Sequence, residues 1–374
     1  SDVYKRQQPI RINMETTLQL RPNGQVPGVW LPRDNNTLHL PLEEEAVIMG
    51  EGTESLSFKA SSEEPGKMKP KHFIEANTEE VSLYHLKNDC IIPVFSKDNE
   101  VTISHHAFIE TVWESVRRLF RNESVSEPEI RVSHIIKGRT PEAIHKPVKE
   151  LTEADKTIYY ERMAFCMEIP SITETIGGNR LNLTVGGVRA YNQENLYSRK
   201  GLEKFKVFIG FKNMVCCNLC VTTDGLCEEI RAADTSDLMT KVIELLVSYN
   251  AKKHLEGMKA LMDYSLSESQ FAQMIGKARL YQYLPQRLKK ELPAFSFTDT
   301  HINVIAKNFY TDTNFSCSAD KREINMWRVF NLFTEANKCS YIDTFLGRAA
   351  NASQFSDGII KALDGMGNFG WFLK

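Results

Sequence analysis

The hydrophobic period of this chain changes once, and that change limits the folds open to it. Between Glu129 and Thr223 apolar residues mostly alternate with polar ones. A period of two belongs to strands. From Asp234 onward apolar residues recur every three or four positions, the period of amphipathic helices. Strands gathered first and helices afterwards predict an α+β protein, with an antiparallel or mixed β-sheet region followed by a helical region. They speak against a parallel doubly wound sheet.

One helix precedes the strands. Ser104 caps it, and Phe108, Ile109, Val112, Trp113, Val116 and Phe120 form its stripe over about 105–121. Strands are predicted at Glu129–Lys137, Arg162–Ile169, Arg180–Arg189, Lys204–Phe211 and Asn213–Thr223, the last ending at an Asp224-Gly225 turn. Ile176-Gly177-Gly178-Asn179 joins the second and third as a hairpin. Gly186-Gly187 marks a bulge or a close backbone approach. A helical face follows on Leu238, Val242, Leu245, Leu246 and Tyr249. Ser267 and Gln270 make a capping box for the next helix. Further helices fit at about 299–310, 323–337 and 340–364, the last broken near Asn351.

The first 70 residues obey neither period. They hold Pro9, Pro22, Pro27, Pro32, Pro41, Pro65 and Pro70, half of the chain's 14 prolines. Apolar residues there come in twos and threes, too few to offset an ordering cost of ~1–2 kcal/mol per residue. A disordered, extended arm is expected over 1–71, with at most a short strand near Thr37–Leu40. A sheet region over 72–232 and a helical region over 233–374, packed together as one unit, complete the organisation. The opening SDVYKRQ reads as an assembly artefact, with Met14 as the start.

With 374 residues, 42% hydrophobic and 25% charged, the chain can bury a sizeable core. A net charge of −2 excludes bulk attraction to DNA or anionic membrane and leaves a local basic patch open. No apolar run reaches the ~18 residues of a membrane helix, so no membrane partner is expected. Eight scattered cysteines, two of them adjacent, read as reduced thiols in a cytoplasmic-type compartment.

Few residues form a chemical constellation. Cys217 and Cys220 make one CxxC, with Cys216 and Cys227 nearby, but a zinc knuckle needs a second pair. On a strand those thiols point apart, so core cysteines are expected, and neither a metal nor a cofactor is assigned. His105 and His106 read as surface or helix-start histidines, since a helical metal pair prefers i, i+4 spacing. Glu168 reads either as a general acid or base or as the partner of an arginine such as Arg162 or Arg189. Two stretches interleave cations and aromatic rings. One carries Lys204 and Lys206, which point away from Phe205, Val207, Ile209 and Phe211. The other carries Lys277, Arg279, Tyr281, Tyr283, Arg287, Lys289 and Lys290, with no acidic residue between Glu268 and Glu291. Cations for phosphates beside rings for bases suit single-strand binding. A solvated helix face with core aromatics has the same pattern.

Phe73-Ile74-Glu75-Ala76-Asn77, Gly186-Gly187-Val188-Arg189-Ala190-Tyr191-Asn192-Gln193-Glu194-Asn195 and Trp371 resemble domain-of-unknown-function family 3871 over about 73–374. Val215-Cys216-Cys217-Asn218-Leu219 and the helical set Trp327, Asn331, Thr334, Glu335 more distantly resemble the phage- and plasmid-borne family of unknown function 932. The aromatic-Asp-His continuation of that set is replaced here by Ala336-Asn337-Lys338. The resemblance implies a mobile element and no established activity. Trp327 reads as a core anchor, or as the wall of a polar pocket with Asn331 and Glu335. Three functions follow: an accessory protein binding DNA or RNA, a module that captures a host or element-encoded protein, or an enzyme using Glu168, Asn331 and Glu335.

Overall fold

The computed structural model of the chain describes residues 71–90, 102–143, 145–193 and 202–374. The expected arm, apart from Lys71, and the strand near Thr37–Leu40 lie outside these residues. Strand β1 (Glu79–Glu80) and helix α1 (Leu83–Asn88) lead into α2 (His105–Leu119), whose Ser104 cap accepts the Ala107 N–H. The strands follow: β2 (Glu129–Arg139), β3 (Lys156–Ile176), β4 (Asn179–Ala190), β5 (Glu203–Asn213), β6 (Leu219–Cys220) and β7 (Leu226–Ala232). They lie in the order β1-β2-β3-β4-β5, and β5 also pairs with β6 and β7. Every pair of these strands is antiparallel. β1 covers only Arg131 and Val132 of β2. Beyond them the outer edge of β2 pairs with no described strand and kinks at His134, whose φ is +59°.

The helical half begins where the period changes. It comprises α3 (Thr235–Ser248), α4 (Ala251–Ala260), α5 (Glu268–Tyr281), α6 (Gln286–Lys289), α7 (Asp299–Thr311), α8 (Met326–Asn337) and α9 (Ile342–Leu363). The Ser267–Gln270 capping box starts α5. A two-stranded pairing of β8 (Ser265–Ser267) with β9 (Glu323–Asn325) takes the residues expected to open the helix at 323, and Asn325 caps α8 instead.

Alternation along the strands fills two cores. Met163, Phe165, Met167, Leu183, Val185, Phe205, Val207 and Ile209 pack with Phe108, Val112 and Val116 of α2 and Leu238 and Val242 of α3. Ala164, Cys166, Val188 and Phe208 belong to a second cluster with Phe73, Ile74 and the start of α9 at Ile342, Phe345 and Leu346. Phe73, where the folded part is expected to start, is thus a core residue. Both glycines are close approaches: a Cβ on Gly186 would run into the Phe165 carbonyl, and one on Gly187 would stand 2.6 Å from the Phe108 ring. The β3–β4 ladder is irregular elsewhere, between Ile169 and Thr173.

Three expectations need correction. Asn213–Thr223 is not one strand, because Cys217 turns into the left-handed region at φ +61° and its N–H donates to the Asn213 carbonyl. Only Leu219–Cys220 pair, and a separate β7 follows. Helix α9 runs unbroken through Asn351, whose amide donates to Ala294 O and accepts from Ser296. Bonded outside its own helix, that side chain does not compete with the helix backbone. His105 starts a helix but is buried, stacked on Tyr191 and donating to Tyr160 O at 2.8 Å.

Burial keeps three histidines neutral. It lowers His105 to about 3, aided by Arg189, lowers His254 to about 4, and lowers His301 to about 4, aided by Arg348. Unfolded, each takes a proton near pH 6.5. Their contribution to stability is therefore complete above pH 6.5 and is lost as pH falls through 4. Calorimetry should show the melting temperature dropping between pH 7 and pH 4.5, and a flat profile would contradict this assignment.

Candidate functional site

Ten of the twelve residues of α8 are buried, so its polar side chains must bond inside the protein. The Trp327 indole N–H donates to Asn179 Oδ1 (3.0 Å) at the β3–β4 turn. Gly177 in that turn has φ +56°, and a Cβ on it would lie 2.8 Å from the Trp327 ring. The turn therefore needs glycine for its conformation and for its contact. One helical turn on, Asn331 Nδ2 donates to Trp327 O (2.9 Å) and Oδ1 accepts from Asn213 (3.1 Å). Asn218 donates to Asn331 O (3.1 Å), as does the Thr334 hydroxyl (3.1 Å). The cysteine-asparagine segment and the W-x3-N-x2-T segment, more than a hundred residues apart in sequence, thus meet at one amide.

Beside this knot lies a charged cluster. Lys212 on β5 reaches across β4 to Glu168 on β3 (3.1 Å) and Glu129 on β2 (2.9 Å). Asn182 donates to Glu168 (2.8 Å), and His72 meets Glu129 (3.1 Å). The Lys212 ammonium is 7% exposed. Burial works against it, but Cys166 and the two carboxylates outweigh burial and raise its pKa. Glu168 therefore has a lysine partner. The arginines named for it are engaged elsewhere, Arg162 with Glu161 (3.5 Å) and Arg189 with Glu203. Arg189 is wholly buried, its guanidinium 4.5 Å from the ring centres of Tyr191 and Phe205 and donating to Ile103 O.

The cysteines divide as their burial dictates. Cys216 and Cys220 are core, and burial pushes the Cys216 thiol up to about 12. Cys217 is half-buried, and burial raises its pKa against the pull of Lys212 and Lys338. Glu335 pairs with buried Lys338 (3.1 Å), whose ammonium donates to Cys216 O. Glu168, Asn331 and Glu335 thus belong to three separately bonded groups. Among the described residues no group of three His, Cys, Asp or Glu side chains is placed to hold a metal.

The basic-aromatic stretches separate as well. Lys204 pairs with Glu229 (3.6 Å), and Lys206 donates to Asp343 O (2.9 Å). Tyr281 belongs to the core, stacked on Phe372 and edge-on to Phe295 and Trp371. Lys277 lies over Trp371, and Lys289 donates to Gln282 O (2.7 Å). The α5–α6 corner keeps Arg279, Tyr283, Arg287 and Lys290 exposed. Asp299 accepts from the Tyr283 hydroxyl (2.7 Å) and pairs with Arg279 (3.3 Å). Arg287 and Lys290 form no ion pair with a described residue.

A family model described as "Domain of unknown function, B. Theta Gene description (DUF3871)" matches residues 60–373. The chain belongs to this family. The DUF3871 match begins somewhat before Phe73 and takes in the sheet, α8 and the lysine cluster. No curated protein and no solved structure matches. Among the described residues of this DUF3871 chain, no helix is long and apolar enough to cross a membrane.

Sequence reasoning missed Lys212, Glu129, His72, Asn182 and Cys217 as a group, because strand pairing alone brings them together. Removing one partner of a buried ion pair costs on the order of 3 kcal/mol. Lys212→Met should therefore lower the denaturant midpoint far more than Glu129→Gln, which leaves Glu168 paired. Equal effects from both substitutions would show that the lysine is not the centre of the cluster.

Proposed function

We propose that this chain is a nucleic-acid-associated accessory protein of a mobile element, contacting single strands at the α5–α6 corner. The observation that carries the reading is Tyr283. Its ring is 72% exposed, yet its hydroxyl is held by Asp299, so a stacking face is presented with little freedom left to lose. Arg279, Arg287 and Lys290 surround it with cations, and an exposed ion pair such as Arg279–Asp299 is weak enough to yield to a phosphate. Tyr281 takes no part, because its ring is core. The mobile-element setting rests on family resemblance alone. Leu280, 59% exposed beside Tyr283, supports the second reading, a protein partner at the same corner.

Fluorescence anisotropy with labelled single-stranded DNA tests this. Log affinity should fall with log salt at a slope of about −0.7 for each phosphate contact. Changing Arg287, Lys289 and Lys290 to Glu should flatten that slope, and Tyr283→Ala should remove ~1–3 kcal/mol without unfolding the chain. If the wild-type chain binds neither DNA nor RNA at low salt, the protein-partner reading replaces this one.

A further inference from the structure

A third cluster of reactive side chains stands at the end of α1, away from the residues used above. Ser82 caps the helix, His85 follows one turn in, and Asp89 closes it. Cys90 comes next, held by an isolated bridge to Ile158. The His85 Nδ1 lies 2.8 Å from Asp89 Oδ2, and its Nε2 lies 3.7 Å from Cys90 Sγ. The Tyr160 hydroxyl is 3.1 Å from the same Nε2. A carboxylate at Nδ1 selects the tautomer with its proton on that nitrogen, which leaves Nε2 an acceptor within reach of the thiol as well as of the Tyr160 hydroxyl. Neither Cys90 nor His85 is sealed off, since both are partly exposed.

The surroundings fit a covalent step. Burial, and then Asp89, push the Cys90 thiol up to about 11, so free thiolate is scarce at neutral pH and attack needs a base within reach. Burial, and then Glu79, raise the Tyr160 hydroxyl to about 12, which keeps it a proton donor. Glu79 also lines an open cleft of about 380 Å³ with Asn77, Thr78, Ser133 and His134. Asn77 and His134 on that cleft hold left-handed backbone, at φ +41° and +59°. Strain of this kind gathers at working sites.

We propose that Cys90 is a base-assisted nucleophile for a small activated acyl compound of the thioester class. In the step, Cys90 Sγ bonds to the acyl carbon while its proton passes to His85 Nε2. The bond from that carbon to the leaving sulfur breaks, and the departing thiolate takes the proton from His85. Cys90 is left acylated, and no oxidant or reductant is needed. Asp89 is a positioning residue, acting through the orientation of His85.

The test uses the full chain and S-phenyl thioacetate, with acetylated peptides read by mass spectrometry across pH. Exposed Cys339 is the internal control. Cys90 should acetylate faster than Cys339 at pH 7, with a rate that does not follow the ionisation of its own thiol. His85→Gln should slow acetylation of Cys90 about a hundredfold, and Asp89→Asn on the order of tenfold with a changed pH profile. Circular dichroism confirms that each variant is folded, and Cys339 should react unchanged in both. A Cys90 rate that climbs steadily with pH to the thiol's own ionisation, or that survives His85→Gln, would overturn the proposal.

Discussion

The amide of Asn331 is the join on which both halves of this protein depend. Wholly buried on α8, the side chain bonds back to Trp327 within its helix and receives Asn213 from the end of β5, while the backbone carbonyl of Asn331 receives Asn218 from the loop after it. Replacing its side chain with an apolar one would leave the Asn213 amide without that partner in a place water does not reach. The indole four residues earlier fixes the β3–β4 turn from the same helix. Two consecutive turns of α8 therefore set the position of two separate loops of the sheet. Those loops terminate β3 and β5, the strands that carry Glu168 and Lys212. The charged cluster is a by-product of that placement.

The fold was legible wherever a hydrophobic period ran long enough. The caps at Ser104 and Ser267, the Gly177-Gly178 hairpin and the faces of β4 and β5 all follow from spacing. Reading failed where a side chain overruled its local pattern. Asn213 and Cys217 bend what looks like a strand, and Asn351 stays in a helix because its partners come from residues 294–296. β7 escaped notice because Leu226–Ala232 has little alternation. α4 was missed because the chain turns after Ser248 at Asn250, which caps a second short helix.

The sites were less legible, for a physical reason. Lys212, Glu168 and Glu129 come from three strands, so no spacing in sequence foretells them. Tyr281 and Tyr283 look equivalent in sequence, and only packing separates the core ring from the exposed one. The Cys90 cluster is the opposite case. His85, Asp89 and Cys90 lie within six residues, and the spacing His-x3-Asp-Cys stood in plain view without a reason to single it out.

Beyond Val132 the outer edge of β2 pairs with no described strand, which bears on how these molecules behave when crowded. An open strand edge invites the same edge of another copy, and chains can then grow into ribbons. Here the edge runs straight for only a short distance before His134 turns its backbone away from the strand conformation. A second copy laid antiparallel against it would break register at that residue in both chains. Lys137 and Arg139, further along, would bring like charges together across the seam. The kink beside the cleft thus works against ribbon growth along this edge.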